Sequence, residues 1–394
     1  MAVSGKIRSG LLALTLAAVL CGCSPAAVTE PTGTPSATPV MTPTPPALDP
    51  VPPPTATPTS VPATPTPSPT PVPTPTPTPV QYELTSFLPL EDLHIKYEIE
   101  PGGGTEETYV EYIGSNEHSV QHRVFSSLRS SPSVQVLKCA DGKLIRTYTR
   151  DKVGYTYRYL KNKSDNPEVF LQEPIVQGES WQVSGGTRTI TSVDKILELS
   201  LGSYRTVEVS TVYDDGSRTY QYYAPDFGLV AEYRYENGVE VSRMEAVSRE
   251  TDRGFSQRIC FYFAQPQTES IRSVVRTVTI KPNASMGSRF MNQLRSVPSG
   301  SGLIALDGVS IRSISLDSRG VHVDFADSLI TTISDIGRAS EGLLLTALAN
   351  TFCDYYQTDR FYITIEGELY ESPYRFLQEG EYLTPDYSNV HELK

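Results

Sequence analysis

SEGLLLTALANTFCDYY, residues Ser340–Tyr356, has the strongest helical periodicity in the chain. Leu344, Leu348, Phe352 and Tyr355 recur at three- and four-residue steps, and Leu345 with Ala349 widens the apolar stripe to more than half of the cylinder. Ser340 fits an N-cap, and Glu341 after it would set a negative charge beside the first-turn N–H groups. A helix this apolar needs a sheet to cover it. The flanking runs Val309–Leu316, Val321–Phe325 and Phe361–Ile365 have the composition of that sheet.

Working outward, residues 251–372 read as a small α+β sandwich in the order ββα-ββ-αβ. Arg258–Phe263 and Ser273–Ile280 are expected strands. Met286–Val297 carries Met286, Phe290, Leu294 and Val297 on one face, with Asn283 or Ser285 as cap, and is an expected helix. Ser310–Leu316 and Val321–Phe325 flank an Asp317–Gly320 turn, and Arg360–Glu366 closes the set. The expectation is a three- or four-stranded sheet with two helices on one face. Residues 373–394 are polar and Tyr-rich, an expected surface extension.

Residues 81–250 alternate in the period of strands, at Ile95, Tyr97 and Ile99, at Val120, His122 and Val124, and at Val207 and Val209. Asp141-Gly142, Asp215-Gly216 and Asn237-Gly238 are hairpin signals. About ten antiparallel strands curled into a barrel or sandwich are expected, with Trp181, the one tryptophan, in their core. The fold class read from the sequence is therefore α+β: an N-terminal, mostly antiparallel β domain at 81–250, then the small sandwich at 251–372.

The N-terminus has the three parts of an export signal. Lys6 and Arg8 form a basic start and Leu11–Leu20 an apolar run, too short to span a bilayer. It ends in Leu20-Cys21-Gly22-Cys23, which resembles the lipobox of bacterial lipoproteins. The resemblance implies that residues 1–23 are the signal region, that Cys23 is acylated, and that the chain is anchored at the extracytoplasmic face of the cell membrane. A diacylglyceryl group supplies the two chains that stable anchoring needs. Residues 24–80, rich in Pro and Thr, lack the apolar surface to fold and favour a polyproline II spacer. Fully extended, it would reach on the order of 170 Å. With Cys21 removed and Cys23 acylated, Cys139, Cys260 and Cys353 remain, an odd number in an exported chain. Burial as small apolar residues suits them better than a bridge.

The formal net charge of −12 argues against nucleic acid as a partner. Several segments together resemble the GerMN domain, the sporulation and spore-germination module of Gram-positive lipoproteins. They are Ile259–Phe263, Arg276–Ile280, Gly308–Leu316, Gly320–Leu329, Ser340–Phe352 and Phe361–Glu368. The resemblance implies a non-catalytic domain similar to the ring-building modules of secretion machines. Its expected partners are the membrane, through the lipid, and an envelope protein or a second copy of itself.

Chemistry-bearing residues are sparse. His118 and His122 share one face of a strand run, too far apart to grip one metal. Asp324 and Glu366 fit loop-capping carboxylates better than an acid/base pair, and Asp226-Phe227-Gly228 is a turn. No catalytic residue, metal site or cofactor is expected. The alternative reading is that the β-rich domain encloses a cavity for an envelope lipid or glycan.

Overall fold

A computed structural model describes residues 81–393. The expected signal region 1–23, Cys23 itself and the linker 24–80 lie outside the described residues. The described residues fall within one compact unit.

Its first part is a sheet of twelve antiparallel strands. They are β1 (Leu93–Glu100), β2 (Gly104–Gly114), β3 (Ser119–Ser126), β4 (Ser133–Ala140), β5 (Lys143–Arg150), β6 (Glu168–Gln172), β7 (Ser180–Val183), β8 (Gly186–Leu199), β9 (Gly202–Tyr213), β10 (Arg218–Ala224), β11 (Gly228–Glu236) and β12 (Val239–Thr251). The spatial order β6-β5-β4-β3-β2-β1-β12-β11-β10-β9-β8-β7 curls the sheet into a nearly closed barrel. Asp141-Gly142 and Asn237-Gly238 take positive φ at both positions, the backbone that two-residue hairpins require.

The seam between β6 and β7 is closed by side chains. The Trp181 indole N–H donates to the Val169 carbonyl (3.1 Å), and Arg188 Nη1 donates to the same oxygen (2.6 Å). A 3-10 turn at Leu84–Phe87 plugs one end of the barrel with Leu84, Phe87 and Leu88.

The second part begins with the hairpin β13 (Phe255–Gln265) and β14 (Ser270–Ile280), then α1 (Met286–Arg295). The strands β15 (Ile311–Leu316) and β16 (Val321–Phe325) precede α2 (Ser328–Ile336) and α3 (Arg338–Tyr356). The chain ends with β17 (Phe361–Ile365), β18 (Glu368–Leu369) and β19 (Val390–Glu392). These strands form two sheets, β13-β14-β19 and β15-β16-β17-β18. The α+β division holds, with a β-rich first part and few helices.

Several details differ from the sequence reading. There are three helices, not two. In α2, SLITTISDI, Leu329, Ile333 and Ile336 recur in the helical period, but the segment is short and rich in β-branched residues, so propensity does not mark it. The long helix starts at Arg338, with Gly337 (φ +79°) between it and α2, so Ser340 does not cap it. Ser285 does cap α1, accepting from the Ser288 N–H (3.3 Å). One covering sheet was expected, whereas α3 packs against β13 and β14 of one sheet and β16 and β17 of the other.

That double cover explains the burial of α3. From Leu344 to Tyr356 only Thr346 and Asp354 are not buried, the pattern of a helix enclosed on all sides. Phe352 packs on Phe290 of α1 (ring centroids 4.8 Å) and stacks on Phe361 of β17 (5.4 Å). The buried polar residues Glu341, Asn350 and Thr351 of the helix have partners, as buried polar groups ordinarily do. Glu341 accepts from the Tyr370 and Ser372 hydroxyls (2.6 and 2.5 Å). Asn350 exchanges two hydrogen bonds with the Asp386 backbone, both 2.7 Å. These bonds, and the parallel pairing of β19 with β14, tie residues 373–393 back onto the fold.

The two parts share a core across the outer face of β2, β3 and β4, where Tyr109, Tyr112, Val134 and Val136 join the cluster that contains α1 and α3. Residues 153–160 lie in this layer. Arg123, fully buried, pairs with fully buried Glu111 (2.6 Å) and donates to the Tyr155 carbonyl (2.7 Å). Gln121 donates to Glu111 and to the Tyr157 carbonyl and accepts from the Tyr159 N–H. Beyond it, the Thr156 N–H donates to the Tyr355 hydroxyl (2.8 Å). A register shift between Val110 and Tyr112 places Glu111 in a bulge, and its carbonyl accepts the Asn283 N–H (3.0 Å).

Candidate ligand cavity

The barrel is not packed solid. Inward-facing side chains leave a cavity of about 600 Å³, within the range of small-molecule sites. Its position follows from strand alternation: on β1 Leu93, Ile95 and Tyr97 point inward, on β2 Glu106, Thr108 and Val110, on β3 His122 and Val124.

The cavity has two chemical ends. Beside the 3-10 plug lie Phe87, Leu88, Leu93, Val110, Leu137 and Leu144, an apolar floor. Strand direction sets the other end at the β9–β10 turn, where Tyr213, Asp215, Ser217 and Arg234 line the wall. Between them runs a polar belt of Glu106, His122, Gln135, Arg146, Glu168, Arg188, Gln221 and Glu232.

Most charges in the belt are already engaged. Glu168 pairs with Arg146 and with Arg188 (2.8 Å), and Arg188 also donates from Nε to the Thr211 hydroxyl (2.9 Å). Glu232 accepts from the Gln221 amide (2.7 Å), which in turn accepts from the Tyr223 hydroxyl (3.0 Å). Burial raises the Glu106 carboxyl above its ordinary range, against the opposing pull of Arg129.

His122 differs from these. Neither ring nitrogen hydrogen-bonds a described residue. Removal from bulk water lowers its pKa to about 4, so the ring is neutral at pH 7. It still keeps some accessible surface because one face borders the cavity. Its cross-strand partner is Gln135, whose amide likewise has no partner among the described residues.

The residues singled out by sequence fall in separate places. His118 does not join His122; its Nε2 lies 3.0 Å from the Leu88 carbonyl. Asp324 accepts from the Gly367 N–H (2.8 Å) and the Thr364 hydroxyl (2.7 Å), and Glu366 lies 3.2 Å from Arg312, so both serve the strand-end loops. Phe227 and Gly228, in the β10–β11 turn, line the cavity edge. Trp181 is buried at the seam. Cys139, Cys260 and Cys353 are free thiols; burial pushes Cys139 up to about 11 and Cys353 to about 12. No group of three or more His, Cys, Asp or Glu among the described residues is placed to hold a metal ion. No described helix is long and apolar enough to cross a membrane. The polar belt was missed by sequence reasoning. Its one trace was charged residues recurring in step with apolar ones on the same strand face, as at Glu106, Thr108 and Val110.

Residues 260–371 match the Germane family model, described as sporulation and spore germination. The match spans β13 to the residues just after β18, the part that resembles a GerMN domain, and less than half of the chain. No curated protein matches the chain. Three solved structures are similar to parts of it. A protein of Bacteroides fragilis described as exported, with a YmcC-like fold, is 11% identical over 41% of this chain and 96% of its own, with a TM-score of 0.27. A protein of Parabacteroides distasonis described as a lipoprotein is 13% identical over 43% of this chain and 100% of its own, TM-score 0.27. The tandem GerMN domains of the sporulation protein GerM from Bacillus subtilis are 16% identical over 33% of this chain and 45% of theirs, TM-score 0.24.

Proposed function

We propose that this chain is a lipid-anchored protein of the extracytoplasmic membrane face, acting without catalysis in sporulation or spore germination through protein contacts of its C-terminal part. The observation that carries the reading is the family match over residues 260–371. Acylation at Cys23 supplies the anchor, residues 24–80 the reach, and residues 81–393 the folded cargo. The docking surface lies on the outer strands and loops of the C-terminal sheets, because α3 is enclosed. Cross-linking in sporulating cells, followed by identification of what is attached within 251–393, tests this. A Cys23→Ala strain should release the chain from the membrane and impair sporulation or germination. A deletion strain with normal sporulation and germination overturns the reading.

A second activity is favoured by the cavity. An open barrel lined by Phe87, Tyr97, Phe170, Tyr213, Tyr223 and Phe227 supports the reading of the first part as a binding module for an envelope lipid or glycan.

A further inference from the structure

The chemistry of the walls narrows that ligand. The apolar floor by the 3-10 plug fits a hydrocarbon chain and offers a sugar nothing to hydrogen-bond. A charged head fares poorly in the belt above it. Arg146 and Arg188 are both committed to Glu168, Glu106 pairs with Arg129 (3.0 Å), and the remaining Arg234 shares the lining with Asp215 and Glu232. A carboxylate or phosphate would lose its hydration beside carboxylates, without a free guanidinium in the belt to replace it.

What the belt does offer is a pair of unused neutral groups. His122 and Gln135 are cross-strand partners, both line the cavity, and neither hydrogen-bonds a described residue. An imidazole and a carboxamide side by side present both donors and acceptors, suited to a hydroxyl or an ester oxygen. Both are half-buried on the cavity wall, so their polar atoms are open to a ligand that enters it.

We propose that the barrel takes up one uncharged, single-chain amphiphile of the monoacylglycerol class. Its hydrocarbon lies against Phe87, Leu93, Val110 and Leu144, and a head-group oxygen bonds His122 and Gln135. This rests on the reading of the barrel as a binding module. A cavity of about 600 Å³ holds one such molecule.

The test is equilibrium dialysis of the full-length chain carrying Cys23→Ser with radiolabelled 1-monoolein, oleate or a muramyl disaccharide from purified wall. The expected result is saturable uptake of one monoolein per chain, with oleate at pH 7.5 bound at least about tenfold more weakly. His122→Phe, which keeps the volume and removes the hydrogen bond, should weaken monoolein about tenfold. Val124→Trp should abolish uptake by filling the cavity. If that variant melts early, His122→Phe decides. Monoolein uptake unchanged in His122→Phe, or in a folded Val124→Trp, overturns the proposal. Saturation by oleate or the disaccharide with none by monoolein overturns the neutral-lipid assignment and leaves the binding-module reading standing. No saturable uptake of any probe overturns both.

Discussion

His122 gives the barrel a stability that depends on pH in a calculable way. Its imidazole is held to a pKa of about 4 by the loss of bulk water, against an ordinary value of 6.5. The folded state resists the proton that the unfolded chain accepts, so stability is intact above pH 6.5 and drains away as pH falls towards 4. At pH 5 the unfolded imidazole is almost fully protonated and the folded one about a tenth so, which by linkage costs about 2 kcal/mol relative to pH 7.5. This is an upper figure, because water entering the cavity would solvate an imidazolium. The perturbation is His122→Phe, which removes the titration and keeps a ring in the wall. Trp181, the one tryptophan, sits buried at the seam and reports barrel unfolding by fluorescence. In urea titrations at pH 7.5 and pH 5, other groups titrate alike in both proteins, so the difference between their losses isolates His122. The wild-type chain should lose about 2 kcal/mol more than the variant. Parallel losses would show that the ring is not held neutral and refute the argument.

Removing one member of the buried pair, by Glu111→Ala, should cost about 3–5 kcal/mol in urea because Arg123 stays charged and enclosed; replacing both with Leu and Met should restore most of it. Gly320→Ala should cost roughly 1–3 kcal/mol or more, since φ is +152° and an added Cβ would sit 2.4 Å from the Arg360 carbonyl; thermal melting reads it. With their thiols raised by burial, Cys139 and Cys353 should react slowly with a maleimide at pH 8 and rapidly after denaturation, by peptide mapping, and fast labelling in the native chain would contradict the burial.

Much of the architecture was legible because its signals are local. Asp-Gly and Asn-Gly pairs mark hairpins by backbone geometry alone, and β16 and β17 place an apolar residue at every second position. The region later matched by the Germane model was legible as a resemblance, through the order of its strands and helices. The start of α3 was misplaced because Ser340 satisfies the local rule for a cap, whereas Gly337, by breaking α2, sets the start. Alternation told which residues share a face but not what each face meets. On β2 and β3 one face lines a void and the other is buried under the second part, so Glu106 and Glu111 look alike in sequence and lie in opposite surroundings. The cavity was not legible, because emptiness depends on how twelve strands close around one another.

The enclosure of α3 has a consequence for genetics. A strut with almost no outward surface cannot be altered without disturbing the layers on either side, so alleles within 344–356 will report lowered abundance of the whole protein, whatever its role. A screen for contact-breaking alleles gains more from solvent-facing positions such as Arg312, Val275 and Phe376, where a changed phenotype at unchanged protein level identifies the surface in use.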